Sequence, residues 1–249
     1  MKRLSILLYA LFAYLAGLAT LVYLLLWIYP WSFLPVTVDS APLLPLAHSP
    51  FAAAALDLGL IALFGLQHSL MVRPGSKRWL DHLPRGTRRA TYTFASTLAL
   101  LLLLLLWQPL PQRLWTFSPS SFAGALALGL YLLGWSVAVI ATFLIDHFEL
   151  FGLHQAYRAW RKLPDPEPTF QERGFYRYLR HPIQAGTILG LWAAPSMSTG
   201  HLLLALGFTL YILIGLHFEE RDLLRTLGEE YADYRRRVPM LIPFWRRKR

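Results

Sequence analysis

The chain alternates long apolar runs with short polar loops. After Lys2 and Arg3, an apolar run covers about 4–28. At about 1.5 Å per residue it is long enough to cross a hydrocarbon core about 30 Å thick. It is longer than a signal-peptide core and carries no convincing cleavage site, so it is expected to stay as an uncleaved span. Similar runs cover about 51–71, 90–107 and 122–145. The pattern then changes. An apolar piece over 183–194, too short to cross alone, stops at Pro195; the uncharged, turn-like PSMSTGH follows, then a second apolar piece over about 202–218. This predicts a helical hairpin over 183–218. Beyond it, ERDLLRTLGEEYADYRRRVPMLIPFWRRKR alternates charged and apolar positions at helical spacing, predicting an amphipathic helix and an interfacial segment. The predicted fold class is an all-α integral membrane protein over 1–249 as a single domain. It has four transmembrane helices, a C-terminal helical hairpin (five to six membrane segments in all) and a cytoplasmic amphipathic tail.

Charge orients this pattern. The segment YPWSFLPVTVDSAPLLPLAHSP has no Lys or Arg and opens with Tyr29 and Trp31, which suits an outer loop with its aromatics in the interfacial belt. The next loop carries Arg73, Lys77, Arg78, Arg85, Arg88 and Arg89, and the segment after the fourth run carries Arg158, Arg161, Lys162, Arg173, Arg177 and Arg180. The intervening outer loop has Arg113 alone. The positive-inside bias therefore puts both termini in the cytoplasm, with the bacterial inner (plasma) membrane as the expected location. A composition of 55% hydrophobic and 15% charged residues agrees. The net charge of +10 does not call for nucleic acid, because the basic residues sit in short loops rather than in a solvated arm. Arg235–Arg237 and Arg246–Arg249 read as contacts to anionic membrane lipid. With no cysteine, disulfides, thiolate metal sites and a cysteine nucleophile are excluded.

Several polar clusters fall at the predicted cytoplasmic boundary. Gln67 and His68 close the second run, Asp146 and His147 close the fourth, Arg180 and His181 open the hairpin, and His217, Glu219 and Glu220 close it. Each has a plain reading as a snorkelling side chain, a cap or an interfacial ion pair. Together they are expected to line one pocket. Asp57 lies inside the second run, where an unpaired charge costs about 2.5 to 3.5 kcal/mol; it should have a partner or a proton. Pro182 suits the first turn of a helix and leaves His181 in an extended or cap geometry. His217 and Glu220 share a helix face, whereas Glu219 points elsewhere. One glutamate is thus expected to reach the pocket while the other pairs with Arg180 or Arg221. Tyr231 and Tyr234 repeat the three-residue spacing and offer an aromatic edge.

On RHP at Arg180–Pro182, Gly186, EER at Glu219–Arg221 and the run from Gly228 to Pro243, the last third of the chain resembles the isoprenylcysteine carboxyl methyltransferase and phospholipid methyltransferase superfamily. QHSLMVRPGSKRW, DHFELFGLHQAY and LWAAPSMSTGHLL resemble a narrower group, the methanethiol S-methyltransferases, related to NnrU and nurim proteins. The resemblance implies S-adenosylmethionine as methyl donor, held in the region 174–243 without a Rossmann domain; no Gly-rich fingerprint is present. It implies cofactor contacts from Arg180, His181, Pro182, Gly186, Glu219 and Glu220, with no metal. Many relatives carry Tyr two residues after the Pro of RHP, where this chain has Gln184. The rings of Tyr176, Tyr178, Tyr231 and Tyr234 are expected to hold the sulfonium by cation–π attraction, worth about 0.5 to 2 kcal/mol. A small thiol must lose its proton to become a nucleophile. His147 or His68 is the expected base, Asp146 its orienter and Gln67 a neighbour in the acceptor half. Methylation of an isoprenylcysteine carboxylate or a lipid amine is the alternative activity. A non-catalytic nurim-like protein, or a haem bundle using His68, His147, His181 and His217, is the alternative of another class.

Overall fold

A computed structural model describes residues 2–31, 33–72, 80–166 and 170–243. The basic positions Arg73, Lys77, Arg78 and Arg246–Arg249 lie outside the described residues. In chain order the elements are α1 (Lys2–Ile28), α2 (Pro50–Val72), α3 (Arg88–Leu106), β1 (Arg113–Thr116), α4 (Phe122–Ile145), α5 (His147–Phe151), α6 (Leu153–Arg161), α7 (Pro182–Trp192), β2 (Ser196–Ser198), α8 (Thr199–Leu227) and α9 (Glu229–Arg237). Single 3₁₀ turns at Arg85–Thr87 and Gly174–Arg177 precede α3 and α7.

Five helical segments are long and apolar enough to cross a membrane: Arg3–Ile28, Pro50–Val72, Arg85–Leu106, Phe122–Ile145 and Thr199–Leu227. Their polarity is that of a protein dissolved in lipid. On α1, Leu8, Phe12, Leu15 and Val22 point outward while Ala10 and Ala13 are fully buried. Lipid removes the hydrophobic drive between helices, so small residues that permit close approach gather at the contacts. The chain is an all-α integral membrane protein, as its hydropathy predicts.

The chain divides into two compact units. The first comprises Met1–Leu114, His147–Glu167 and Met197–Leu204. Here α3 packs against both α1 and α2, and α6 lies on α1. Ala10, Ala13, Ala90 and Ala156 form the contact, flanked by Ile6, Leu7, Tyr9, Phe94 and Leu153. Gly152 turns the chain from α5 into α6 at φ +94, and a Cβ there would stand 2.6 Å from the Ala90 backbone nitrogen. Only glycine suits both the turn and the approach. Asp57 is fully buried, and its Oδ1 accepts from the Gln108 N–H at 2.8 Å. Oδ1 thus has a partner, while Oδ2 is buried with none among the described residues. The Gln108 side chain accepts in turn from Leu46 and Ala47 N–H. Arg113, the lone basic residue of its loop, pairs with Asp39 at 2.6 Å, and Asp39 also accepts from the Ser198 hydroxyl.

The second unit comprises Trp115–Asp146, Pro168–Ser196 and Ala205–Arg249. Its closest contact is between α4 and α7. A Cβ on Gly186 would lie 2.4 Å from the Gly134 carbonyl oxygen, and one on Gly134 would lie 2.6 Å from the Gly190 nitrogen. α7 has 11 residues, which reach only about half the hydrocarbon thickness. α8 extends well past the apolar stretch 202–218, because HFEERDLLRTL holds no helix breaker before Gly228. Gly228, at φ +60, turns the chain into α9. Glu229 and Glu230 open α9 and Arg235–Arg237 close it, matching the helix dipole at both ends. Tyr231, Tyr234 and Val238 pack α9 against Leu223, Leu224, Leu227 and Phe170.

One local expectation fails. The turn-like PSMSTGH contains β2, which pairs with β1 in a two-stranded sheet. Ser196, Met197 and Ser198 are all buried, and a buried backbone needs hydrogen-bond partners that a free turn would not supply.

Candidate functional site

In the second unit the predicted cofactor residues gather on one carboxylate. Glu220, 5% exposed, projects from α8. Its Oε1 accepts from Arg180 Nε at 2.8 Å, from His181 Nε2 at 2.9 Å and from the Tyr231 hydroxyl at 2.8 Å. Its Oε2 receives Arg180 Nη2 at 3.0 Å and lies 3.2 Å from Arg235 Nε. Arg180 also donates through Nη1 to the Val238 carbonyl at 2.5 Å. The backbone repeats this tie: Arg180 N–H donates to Pro239 O and His181 N–H to Met240 O. Three chain segments, the RHP turn, α8 and the tail, thus converge on Glu220. Pro182 opens α7 with His181 as its N-cap residue, as expected, but the ring of His181 turns to Glu220 rather than capping the helix.

The remaining predicted cofactor residues divide by exposure. Tyr231 and Tyr234 are buried, with rings edge-on to Phe170. The Tyr234 hydroxyl donates to Tyr176 O at 2.6 Å, and the Tyr176 hydroxyl to Ala141 O at 3.4 Å. Burial first, then neighbouring carboxylate charge, holds all three phenols above their usual pKa; for Tyr176 that charge comes from Glu219, for Tyr231 from Glu220 and for Tyr234 from Glu172. They remain donors at neutral pH. Tyr178 is 68% exposed. Glu219 is exposed beside the cluster, close enough for its charge to act on His181 and Tyr176, and forms no ion pair with a described residue. His217, expected on the face of Glu220, is exposed while Glu220 is buried. Gly186 sits in the α4–α7 contact, where its missing Cβ is what the packing uses.

In the first unit each predicted histidine meets a tyrosine. His147 is buried at the start of α5, with Nε2 3.1 Å from the Tyr14 hydroxyl of α1 and its ring against Phe151. His68 stacks on Phe64. Its Nε2 lies 2.5 Å from the Tyr92 hydroxyl and its Nδ1 3.2 Å from the Ser96 hydroxyl, both on α3. Gln67 Nε2 approaches the Met71 sulfur at 3.1 Å, while its buried Oε1 has no described partner. Asp146 ends α4 at φ +105, in a region that Asp tolerates better than most residues. Arg89 donates to Leu150 O at 2.7 Å, and Thr93 to Phe151 O at 3.1 Å. One helix, α3, therefore holds both the His68 ring and the turn that carries His147.

Sequence reasoning did not single out Tyr14, Tyr92 or Arg89 as site residues. Tyr14 lies in the middle of an apolar run, where an aromatic reads as filler. Tyr92 and Arg89 read as the boundary of a basic loop. The available signal was the spacing of Arg89, Tyr92, Thr93 and Ser96, which puts polar groups on adjoining positions of one helix.

A family model described as NnrU protein matches residues 56–245. The methanethiol S-methyltransferase of Mycobacterium tuberculosis is 46% identical over 212 residues, 84% of each chain. Methanethiol S-methyltransferase 2 of Bradyrhizobium diazoefficiens is 43% identical over 242 residues, 97% of this chain and 91% of its own. Nurim of Sus scrofa is 32% identical over 176 residues, 68% of this chain and 67% of its own. No solved structure matches the chain significantly.

Proposed function

The chain belongs to the NnrU protein family, and on that premise we propose that it is an integral membrane methyltransferase that converts methanethiol to dimethyl sulfide with S-adenosylmethionine as methyl donor. The observation that carries this reading is the 43% identity to a relative named methanethiol S-methyltransferase 2 across 97% of the chain. The expected setting is the bacterial inner membrane with both termini in the cytoplasm, supported by the placement of Lys and Arg.

The cofactor residues are those around Glu220, and their chemistry fits the donor. A molecule with a carboxylate, an ammonium and a sulfonium meets a half-exposed guanidinium at Arg235 and, at Glu219, an exposed carboxylate that forms no ion pair with a described residue. Glu220 is already engaged by Arg180, His181, Tyr231 and Arg235. Its task is to lock the RHP turn to the tail, and Glu219, the next position round α8, is left to face a cation. Tyr178 offers an exposed ring for cation–π contact. Once bound, the donor supplies an electrophilic methyl group on a positively charged sulfur.

The acceptor residues are His147 and His68. Imidazole is the side chain whose ordinary pKa lies nearest neutral, which suits it to remove a thiol proton. Tyr14 is the orienting partner of His147. A phenol accepts from Nε2–H when the other ring nitrogen works as a base, and the same contact persists in the imidazolium. Incubation of the purified protein with S-adenosylmethionine and methanethiol, with headspace detection of dimethyl sulfide, tests the reading; its absence would reject it.

A further inference from the structure

Four described arginines are half-buried: Arg88, Arg89, Arg158 and Arg180. Arg88 pairs with Asp81, Arg158 with Glu149 and Asp165, and Arg180 with Glu220. Arg89 has no carboxylate partner among the described residues. Its Nε donates to the Leu150 carbonyl and its Cζ lies 4.6 Å from the centroid of the Tyr92 ring. Its terminal nitrogens donate to no described residue, although a guanidinium carries five N–H donors. A half-buried cation with spare donors and no counter-ion favours an anion at that place. Through the Tyr92 hydroxyl it adjoins His68, whose Nδ1 also meets the Ser96 hydroxyl. A cation and two hydroxyls on α3, with an imidazole from α2 beside them, are what an acidic acceptor needs in order to bind as its anion.

We propose that Arg89, with Tyr92 and His68, forms the acceptor site and binds the substrate as its thiolate. This rests on the methyltransferase reading above and adds the charge state of the acceptor and the residue that holds it. The thiol S–H bond breaks, its electron pair stays on sulfur beside Arg89, and the proton passes to the His147 ring, the base oriented by Tyr14, and then to water. The thiolate lone pair forms the new S–CH3 bond as the donor's CH3–S bond breaks, that electron pair returning to the donor sulfur. Two neutral thioethers and one proton result. Neutral dimethyl sulfide then has no hold on the cation and leaves.

The test compares wild type with Arg89→Gln and Arg89→Lys in purified full-length protein, using thiocyanate as a small anionic probe. The site predicts that thiocyanate competes with methanethiol but not with S-adenosylmethionine in the wild type, and that this competition disappears in Arg89→Gln. It also predicts that Arg89→Gln raises KM for methanethiol about tenfold or more and moves the alkaline rise of kcat, which reports the bound thiol, upward by about one pH unit, with KM for S-adenosylmethionine unchanged. Arg89→Lys, which keeps the charge, should restore most of the pH profile. Equal thiocyanate inhibition in wild type and Arg89→Gln, or an unchanged methanethiol KM and pH profile, overturns the proposal. If Arg89→Gln does not fold, the wild type alone decides: inhibition by thiocyanate that is not competitive with methanethiol overturns it. Dimethyl sulfide formation with an indifferent Arg89→Gln rejects this site alone, whereas a wild type that makes no dimethyl sulfide rejects the methyltransferase reading itself.

Discussion

The Tyr231 hydroxyl of α9 donates to Glu220 Oε1 of α8 at 2.8 Å, so the tail helix is fastened to the same carboxylate that receives Arg180 and His181. A hydrogen bond to a charged group is worth about 1.5 to 3 kcal/mol. Tyr231→Phe should therefore lower thermal stability by about that amount and weaken S-adenosylmethionine binding. Burial and the Glu220 charge raise this phenol's pKa above its usual value. A raised phenol contributes stability that is fully present below its unfolded pKa, about 10, and is lost as pH rises beyond it. The Tyr231→Phe penalty should thus be equal at pH 7 and 9 and shrink above about 10, as read by thermal unfolding across pH.

Glu220→Ala should be more damaging. It leaves the Arg180 guanidinium, whose side chain is 10% exposed, without its charge partner, a loss of about 3 to 5 kcal/mol. Glu220→Gln keeps one acceptor oxygen for Tyr231 and should lose less. Unfolding midpoints for the pair rank the charge against the shape.

Glu219→Gln should behave in the opposite way. Because Glu219 is exposed and forms no ion pair with a described residue, its loss should leave the unfolding midpoint within about a degree of wild type, an effect below about 0.5 kcal/mol. S-adenosylmethionine affinity should fall about tenfold in a calorimetric titration, and unchanged affinity would remove Glu219 from the site.

Tyr14→Phe keeps the ring that packs on His147 but removes the hydroxyl 3.1 Å from its Nε2. The base then loses the contact that selects its tautomer, and kcat should fall about tenfold or more. The Kd for S-adenosylmethionine should not move, so a fall in kcat accompanied by a rise in that Kd would mark a structural role.

Gly186→Ala inserts a Cβ 2.4 Å from the Gly134 carbonyl oxygen. The atoms it would meet, on Gly134 and Ala138, are all backbone, so α4 and α7 must separate, and overpacking of this kind costs about 1 to 3 kcal/mol or more. Reduced yield of folded protein in detergent is expected, with residual activity falling in proportion.

How far the sequence carried depended on the range of the interaction. Apolar runs long enough to span lipid report themselves, which is why the all-α membrane architecture could be read from hydropathy. RHP and EER could be singled out because His, Arg and Glu are costly at the ends of apolar helices. What these residues do to one another could not: Arg180 meets Glu220 across 40 positions and Tyr14 meets His147 across 133, and no local pattern encodes such pairs. Nor could the sequence choose which glutamate pairs with arginine, because Glu219 and Glu220 are adjacent and the rotation of α8 decides. The run of α8 to Leu227 was hidden by reading hydropathy where helix propensity was the relevant signal, since charged residues leave the membrane without ending the helix. β2 was hidden because SMS carries the composition of a turn.

The most direct measurement of the central claim is the headspace above purified protein supplied with methanethiol and methyl-labelled S-adenosylmethionine. Labelled dimethyl sulfide, formed by wild type and lost in Glu220→Ala, is the predicted result. A wild-type protein that binds S-adenosylmethionine yet releases no labelled dimethyl sulfide would contradict it.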